Sequence, residues 1–441
     1  MLKEQNAMVK HADDGKRTQR PYVGETGRKS RGTADKATMV FGMVLLALIV
    51  GLVIGFAVFF VMNLSTWLTN LLWGFSGSLP FFPLFACTVG GTAIGLWTWW
   101  SHDSVKPLSE VMAQFKKTGS YRVNGVWKPV VSFLLPLVFG GSIGFEAGLT
   151  GLISAGCCWI RDQLKRAGLR LGALSHITIA ASLSAIFGTP LAGIAAQAED
   201  ELNTDDYDMR PRTKVVLYMA AAFGAFGGIR LFTMLFGPSS GLPRFEHIAA
   251  SGSDFLWVLP CLALAYAMAF LFHASEYAFG MVDAQMSERP SGVIVKPILA
   301  GLAMGSVACA LPYVLFPGEV QCEELMESWP TWTAFALLAT GVLKALITPM
   351  CIKMGWVGGD LFPSIFAGVA AGYGLAMISG ADPMLIVTVT TSAYLAGVLR
   401  KPLVAIGILF LCFPADGIIW MGVAAVIGAT IPMPRFILQK D

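Results

Sequence analysis

One carboxylate, Glu146, sits among five glycines and apolar neighbours in the stretch GGSIGFEAGLTG, residues 140–151. A second glycine-rich segment, GGDLFP, occupies 358–363. Runs of glycine do not suit a helix interior, but they suit a place where backbone must come close to a ligand. The first N–H groups of a helix have no partner inside it, and that end carries about half a positive charge. Two such ends aimed at one point bind an anion without a fixed cation. An anion held by dipoles alone is also free to leave. The donors would come from Gly144, Phe145 and Glu146 on one side and from Gly359, Asp360 and Leu361 on the other. A carboxylate at such an end is itself a tethered anion, so it competes for the same dipoles. Burial favours its neutral form and the helix end its charged form, which is the balance a proton-operated gate requires. The alternatives are close helix packing for the glycines and a structural cap for Glu146.

The elements that must position these residues belong to a membrane. The 441 residues are 55% hydrophobic and only 13% charged, whereas soluble domains carry about a quarter charged residues. Ala37 to Ser101 contains no Asp, Glu, Lys or Arg, enough for two crossings at about 20 residues each. The fold class is therefore an all-α polytopic membrane protein. Residues 1–36 carry nine Lys/Arg against five acidic residues and lack apolar periodicity, so they read as a mobile cytosolic tail. The first apolar run starts too late and runs too long for a cleavable signal peptide. Basic clusters at Lys116/Lys117/Arg122, Arg161/Lys165/Arg166/Arg170, Arg210/Arg212/Lys214 and Arg400/Lys401 mark the cytosolic face. Glu319, Glu323, Glu324 and Glu327 form an acidic loop that belongs outside. This gives a multi-pass protein of the cell membrane, the inner one in a Gram-negative cell, with both termini cytosolic.

Several function classes are excluded or weakened. The cysteines are scattered; Cys87, Cys157, Cys158, Cys261, Cys309 and Cys412 lie in apolar runs and read as small buried hydrophobes. Five histidines are too dispersed for a metal site. No cofactor, metal or nucleic-acid partner is implied. An intramembrane enzyme would need a paired nucleophile and base, or metal ligands, at membrane depth. His176, His273 and the cysteines show no such pairing, so the chain reads as a non-enzyme. A receptor or scaffold without transport has no need of broken helices around a lone carboxylate.

Long apolar segments alternate with short ones that cannot span a bilayer alone. Short helices interrupted by Gly and Pro at membrane depth are allowed where they line a cavity. The pattern repeats. GFEAG (144–148), an apolar segment and GTPLAGI (188–194) are echoed by GGDLFP (358–363), an apolar segment and RKPLVAIG (400–407). Each unit reads as glycine break, short helix, longer helix, x-P-L turn and short helix. Inverted repeats of this kind, here roughly 85–235 and 295–430 within a 37–441 transport domain, place a substrate site where the broken helices meet.

These motifs carry a resemblance. GSIGFEAG (141–148) resembles the GxEG(P) segment of the CLC family of chloride channels and chloride/proton exchangers. FGTPLAGI with its following acids, GGDLFPSIFAG and LRKPLVAIG resemble three further family segments, in the family's order, over roughly 85–436. The resemblance implies the compact prokaryotic form without paired cytosolic CBS domains, and a homodimer with one pore per chain in membrane lipid. It implies that Glu146 is the gating glutamate, standing in an anion site when ionised and moving aside when protonated or displaced. Ser104 in DSVKP aligns with a serine that faces the ion, although the family's glycines there are replaced and Lys106 intrudes; a plain N-cap is the other reading. Asp360 and Leu361 match residues whose backbone N–H groups face the anion. Phe436 in MPRF aligns with a tyrosine that touches the ion, and phenylalanine has no hydroxyl to donate. Phe145 stands where an arginine is usual. Asp200, with Glu199 as fallback, matches the internal proton-relaying glutamate of the exchangers; a solvated acidic loop is the alternative. Lys344 matches a common basic position and is expected to pair with a local carbonyl or carboxylate. The expected activity is chloride/proton exchange. A passive channel for chloride, fluoride or nitrate is the other expectation.

Overall fold

The computed structural model describes residues 26–76, 81–101, 127–146, 148–149, 174–187, 189–201, 211–237 and 243–434. Over these residues the chain forms fourteen α-helices and no strand. They are α1 (Thr26–Trp73), α2 (Phe82–Ser101), α3 (Trp127–Val138), α4 (Leu174–Ile186), α5 (Pro190–Glu201), α6 (Pro211–Phe236) and α7 (Val258–Ser287). The later ones are α8 (Gly292–Ala308), α9 (Glu319–Ser328), α10 (Ala334–Lys353), α11 (Leu361–Ser379), α12 (Pro383–Leu399), α13 (Pro402–Leu409) and α14 (Ile418–Thr430). The chain divides into two compact units, Met1–Gly42 and Met43–Asp441. Residues 26–36, expected in a mobile tail, already belong to α1, because polar side chains do not stop a helix that is already running. The acidic segment expected as a loop is the helix α9, and its first residue, Glu319, is buried.

Among the described residues, five helices are long and apolar enough to cross a membrane: Val40–Trp73, Val215–Phe236, Asp254–Ser287, Ala334–Lys353 and Leu361–Ser379. Helices α3, α8, α12 and α14 are apolar but shorter. The local sequence sets their ends. Asp382 accepts a hydrogen bond from the Leu385 N–H at 2.7 Å, and Pro383 follows it at the first helical position. That is a strong start, since Pro lacks only an N–H that would be unpaired there anyway. The helix α12 stops at Arg400, whose φ is 57°, and Pro402 begins the next one.

Lipid tails are as apolar as leucine, so membrane helices gain most by letting backbones approach through small residues. Helices α2 and α8 do this with Gly91 and Gly95 against Pro297 and Ile294, and with Gly301 and Gly305 against Cys87 and Leu84. A Cβ on Gly95 would lie 2.8 Å from the Ile294 Cα. Gly368 and Gly372 seat α11 on Thr391 and Val387 of α12, where a Cβ would meet Cα atoms at 2.7 and 2.8 Å. Helix α13 meets α5 at Gly407 and Leu191. Equivalent elements of the two sequence repeats are thus paired: α2 with α8, and α5 with α13. Side chains such as Phe56, Phe60, Trp67, Leu259, Phe335 and Ile419 remain exposed, as a lipid-facing exterior requires. Cys309, expected to be buried, is exposed at the end of α8, unlike Cys87, Cys261 and Cys412.

One buried cation braces this arrangement. Lys344 of α10 is fully buried. Its ammonium donates to the carbonyls of Tyr313, Val314, Leu315 and Phe316 at 3.2, 3.2, 2.8 and 2.8 Å. It also lies 5.0 Å from the centre of the Phe366 ring, a favourable place for a cation. A buried charge is tolerable only when its hydrogen-bonding capacity is filled, and here carbonyl dipoles fill it. The same loop reaches the first repeat, where the Phe316 N–H donates to the Gly140 carbonyl at 3.1 Å.

Two outcomes test this packing. Gly368→Val should destabilise the detergent-solubilised protein by about 1–3 kcal/mol, the usual range for overpacking. Gly227→Ala, where a Cβ meets nothing within 4 Å, should not lower the unfolding midpoint. Lys344→Met leaves four buried carbonyls short of their donor and should cost at least about 2 kcal/mol, measured by denaturant unfolding.

Candidate anion site

Helix α3 ends at Val138 and the chain turns at Gly140, whose φ of 85° suits glycine. The turn is closed by the Gly141 N–H donating to the Pro136 carbonyl at 2.8 Å. The next residues are extended and cross the start of α11. There the Gly144 N–H donates to the Gly359 carbonyl at 2.7 Å, and the Gly359 N–H donates back to Gly144 at 3.0 Å. This antiparallel bridge joins the two glycine breaks, one from each repeat. Nearby, the Ser142 and Thr348 hydroxyls lie 3.1 Å apart and tie the segment to α10.

Two residues past the bridge, Glu146 turns its side chain across it. The Leu361 N–H, at the start of α11, donates to Glu146 Oε1 at 2.6 Å. The carboxyl group is fully buried, and Oε2 has no hydrogen-bond partner among the described residues. A Cβ on Gly144 would run into Oε2, and a Cβ on Gly359 into Oε1. Close approach of the carboxylate therefore requires glycine at both positions.

An apolar wall surrounds the group. Phe145 is buried, with edge-to-face contacts to Phe133 and Phe362 at 6.3 and 6.1 Å, and Phe362 stacks on Phe187 at 5.1 Å. No lysine or arginine among the described residues forms an ion pair with Glu146. The positive end of α11 takes that place. Asp360 is the N-cap of α11, but its side chain makes no capping bond. What the arrangement does chemically is hold one carboxyl group, in a dry setting, on the Leu361 N–H.

The structure thus brings Gly144, Phe145, Glu146, Gly359, Asp360 and Leu361 into one place. It refines the expectation for two of them. The N–H groups of Gly144 and Gly359 are used on each other, so these residues give the site its shape while Leu361 supplies the donor. Glu199 and Asp200 fall in the last turn of α5, a helix where a loop was one of the readings. Ser104 and Phe436 lie outside the described residues. Sequence reasoning missed the Ser142–Thr348 contact, which has no motif, while Lys344 pairs with local carbonyls as expected. The two glycine pairs were the signal for the bridge.

A family model described as "Voltage gated chloride channel" matches residues 89–432. The chloride channel protein CLC-e of Arabidopsis thaliana is 26% identical over 337 residues, covering 70% of this chain and 45% of that protein. The chain therefore spans less than half of that relative's length. Among solved structures, a CLC-type fluoride/proton antiporter is similar with a TM-score of 0.70 at 17% identity, covering 89% of this chain and 95% of the other. A slow cyanobacterial Cl−/H+ antiporter is similar with a TM-score of 0.68, also at 17% identity, covering 88% and 93%. At such identity these structures speak for the fold, while the family match extends over the glycine bridge, Glu146 and both x-P-L turns. The chain accordingly belongs to the voltage-gated chloride channel (CLC) family of membrane anion transporters.

Proposed function

We propose that the protein exchanges chloride for protons across the membrane, with Glu146 as both gate and proton carrier. The observation that carries this reading is the 2.6 Å hydrogen bond from the Leu361 N–H to Glu146 Oε1. A carboxylate from one repeat occupies the helix end of the other, as a chloride ion would. A site that accepts one monovalent anion accepts another of suitable size, so chloride competes with the carboxylate for these donors. Protonation removes the charge that holds the carboxyl group there, and the side chain is then free to swing away with its proton. Return of the ionised group expels the anion. Anion entry and proton pick-up are alternatives at one place, which is the condition for exchange.

The apolar wall of Phe133, Phe145, Phe187 and Phe362 favours this reading over free diffusion, because water would otherwise screen the dipoles. Two solved structures with the same fold are described as proton-coupled antiporters, one for fluoride and one for chloride. They support coupling in this chain and leave fluoride as the second anion to try.

The test is paired chloride and proton flux from liposomes containing the purified protein, wild type beside Glu146→Ala. In the wild type, an imposed chloride gradient is expected to drive protons uphill. In Glu146→Ala, proton movement should vanish while chloride still flows. Chloride flux without protons in both proteins would make it a channel. Proton coupling to fluoride but not chloride would change the substrate and keep the mechanism.

A further inference from the structure

We propose that the hydroxyls of Ser364 and Tyr394 form a further halide subsite, behind the first turn of α11. The inference rests on the reading of that helix start as an anion site. Many hydroxyls in the protein are used within their own helices. Those of Thr88, Thr92, Thr98, Ser306, Thr340 and Thr388 donate to the carbonyl four residues earlier at 2.6–2.9 Å. Ser364 departs from this habit. Its N–H already donates to the Asp360 carbonyl at 3.1 Å, and its hydroxyl has no hydrogen-bond partner. The Tyr394 hydroxyl has none either, and the two residues are 1% and 0% exposed.

Packing brings the two together. Gly368 lies on Thr391, and Gly372 on Val387, so α11 and α12 are antiparallel. One turn further towards the start of α11, this register sets Ser364 beside Tyr394 and Leu395. The Tyr394 hydroxyl lies within reach of the Ser364 side chain. Of the other three unpartnered hydroxyls on α12, Thr391 packs on Gly368, and Thr390 and Ser392 likewise have no partner among the described residues. Ser364 Oγ and the Tyr394 hydroxyl are thus two buried polar atoms without partners among the described residues, one turn behind the Leu361 N–H that meets Glu146.

Buried donors are rarely left unpaired in a native protein, and an ion or water is the usual explanation. Here the donors are two O–H groups with no cation among them, which suits a halide that must also leave. A phenol and a serine each have one proton to give, so together they replace two waters of a halide's hydration shell.

The test is chloride titration by calorimetry of the full chain in detergent, prepared in isethionate. Wild type is compared with Tyr394→Phe, Ser364→Ala and the double variant, and each protein's thermal unfolding is recorded. Hydrogen bonds to a charged partner are worth about 1.5–3 kcal/mol. Each single variant is therefore expected to weaken chloride binding by at least about tenfold. Removing a buried unpaired hydroxyl should leave the chloride-free unfolding midpoint unchanged or higher. Binding equal to wild type in both single variants overturns the subsite and leaves the proposed exchange standing. A midpoint that falls together with binding in both variants assigns the hydroxyls a structural role and also overturns it. Absence of chloride binding by the wild type itself overturns the proposed function and the subsite together.

Discussion

Everything at the centre of this protein follows from two hydrogen bonds between two glycines. Gly144 and Gly359 each donate to the other's carbonyl, at 2.7 and 3.0 Å, and so fix the glycine breaks of the two repeats against each other. A backbone group at membrane depth cannot be left without a partner, because no water is available to it. Breaking a helix there frees such groups, and the bridge gives four of them partners at once. What remains unpaired at the start of α11 is then few in number and points one way. Leu361 meets Glu146 for that reason, and no lysine or arginine among the described residues pairs with the carboxyl group.

The bridge has its own supports. Gly140 turns the chain towards it, and the Gly140 carbonyl receives the Phe316 N–H from the loop that Lys344 holds. Ser142 meets Thr348 on the same helix, α10. A buried lysine and a buried threonine hydroxyl, both on one helix of the second repeat, therefore brace the segment that carries the first repeat's carboxylate. The glycine-lined contacts of α2 with α8 and of α5 with α13 bring the two repeats near enough for the bridge to form.

Much of this was legible in the sequence, and particular residues show why. GGSIGFEAG and GGDLFP announce helix breaks because glycine runs do not suit helix interiors, and Pro190 and Pro402 announce helix starts. Their repeated order gives the two halves. Lys344 was expected to find carbonyls or a carboxylate, and it finds four carbonyls. Other features depend on tertiary distances that no local pattern encodes. Nothing in the sequence tells that the Gly144 and Gly359 N–H groups serve each other while that of Leu361 serves Glu146. The charged start of α1 and the acidic α9 were read as tail and loop because composition was weighed above propensity, and glutamate and lysine are good helix formers. Cys309 was read as buried from its apolar neighbours, yet helix ends expose residues that helix middles would hide.

The stitch between the repeats runs from main chain to main chain. Its hydrogen bonds use no side chain, and the absence of side chains on both residues leaves room for the Glu146 carboxyl group beside them. The surrounding residues are then free to drift over evolutionary time, provided that the packing stays close. A fold held in this way tolerates wide change elsewhere in the sequence. Divergence among such chains should leave the glycines in place and alter the lining around them, so that one scaffold carries many selectivities.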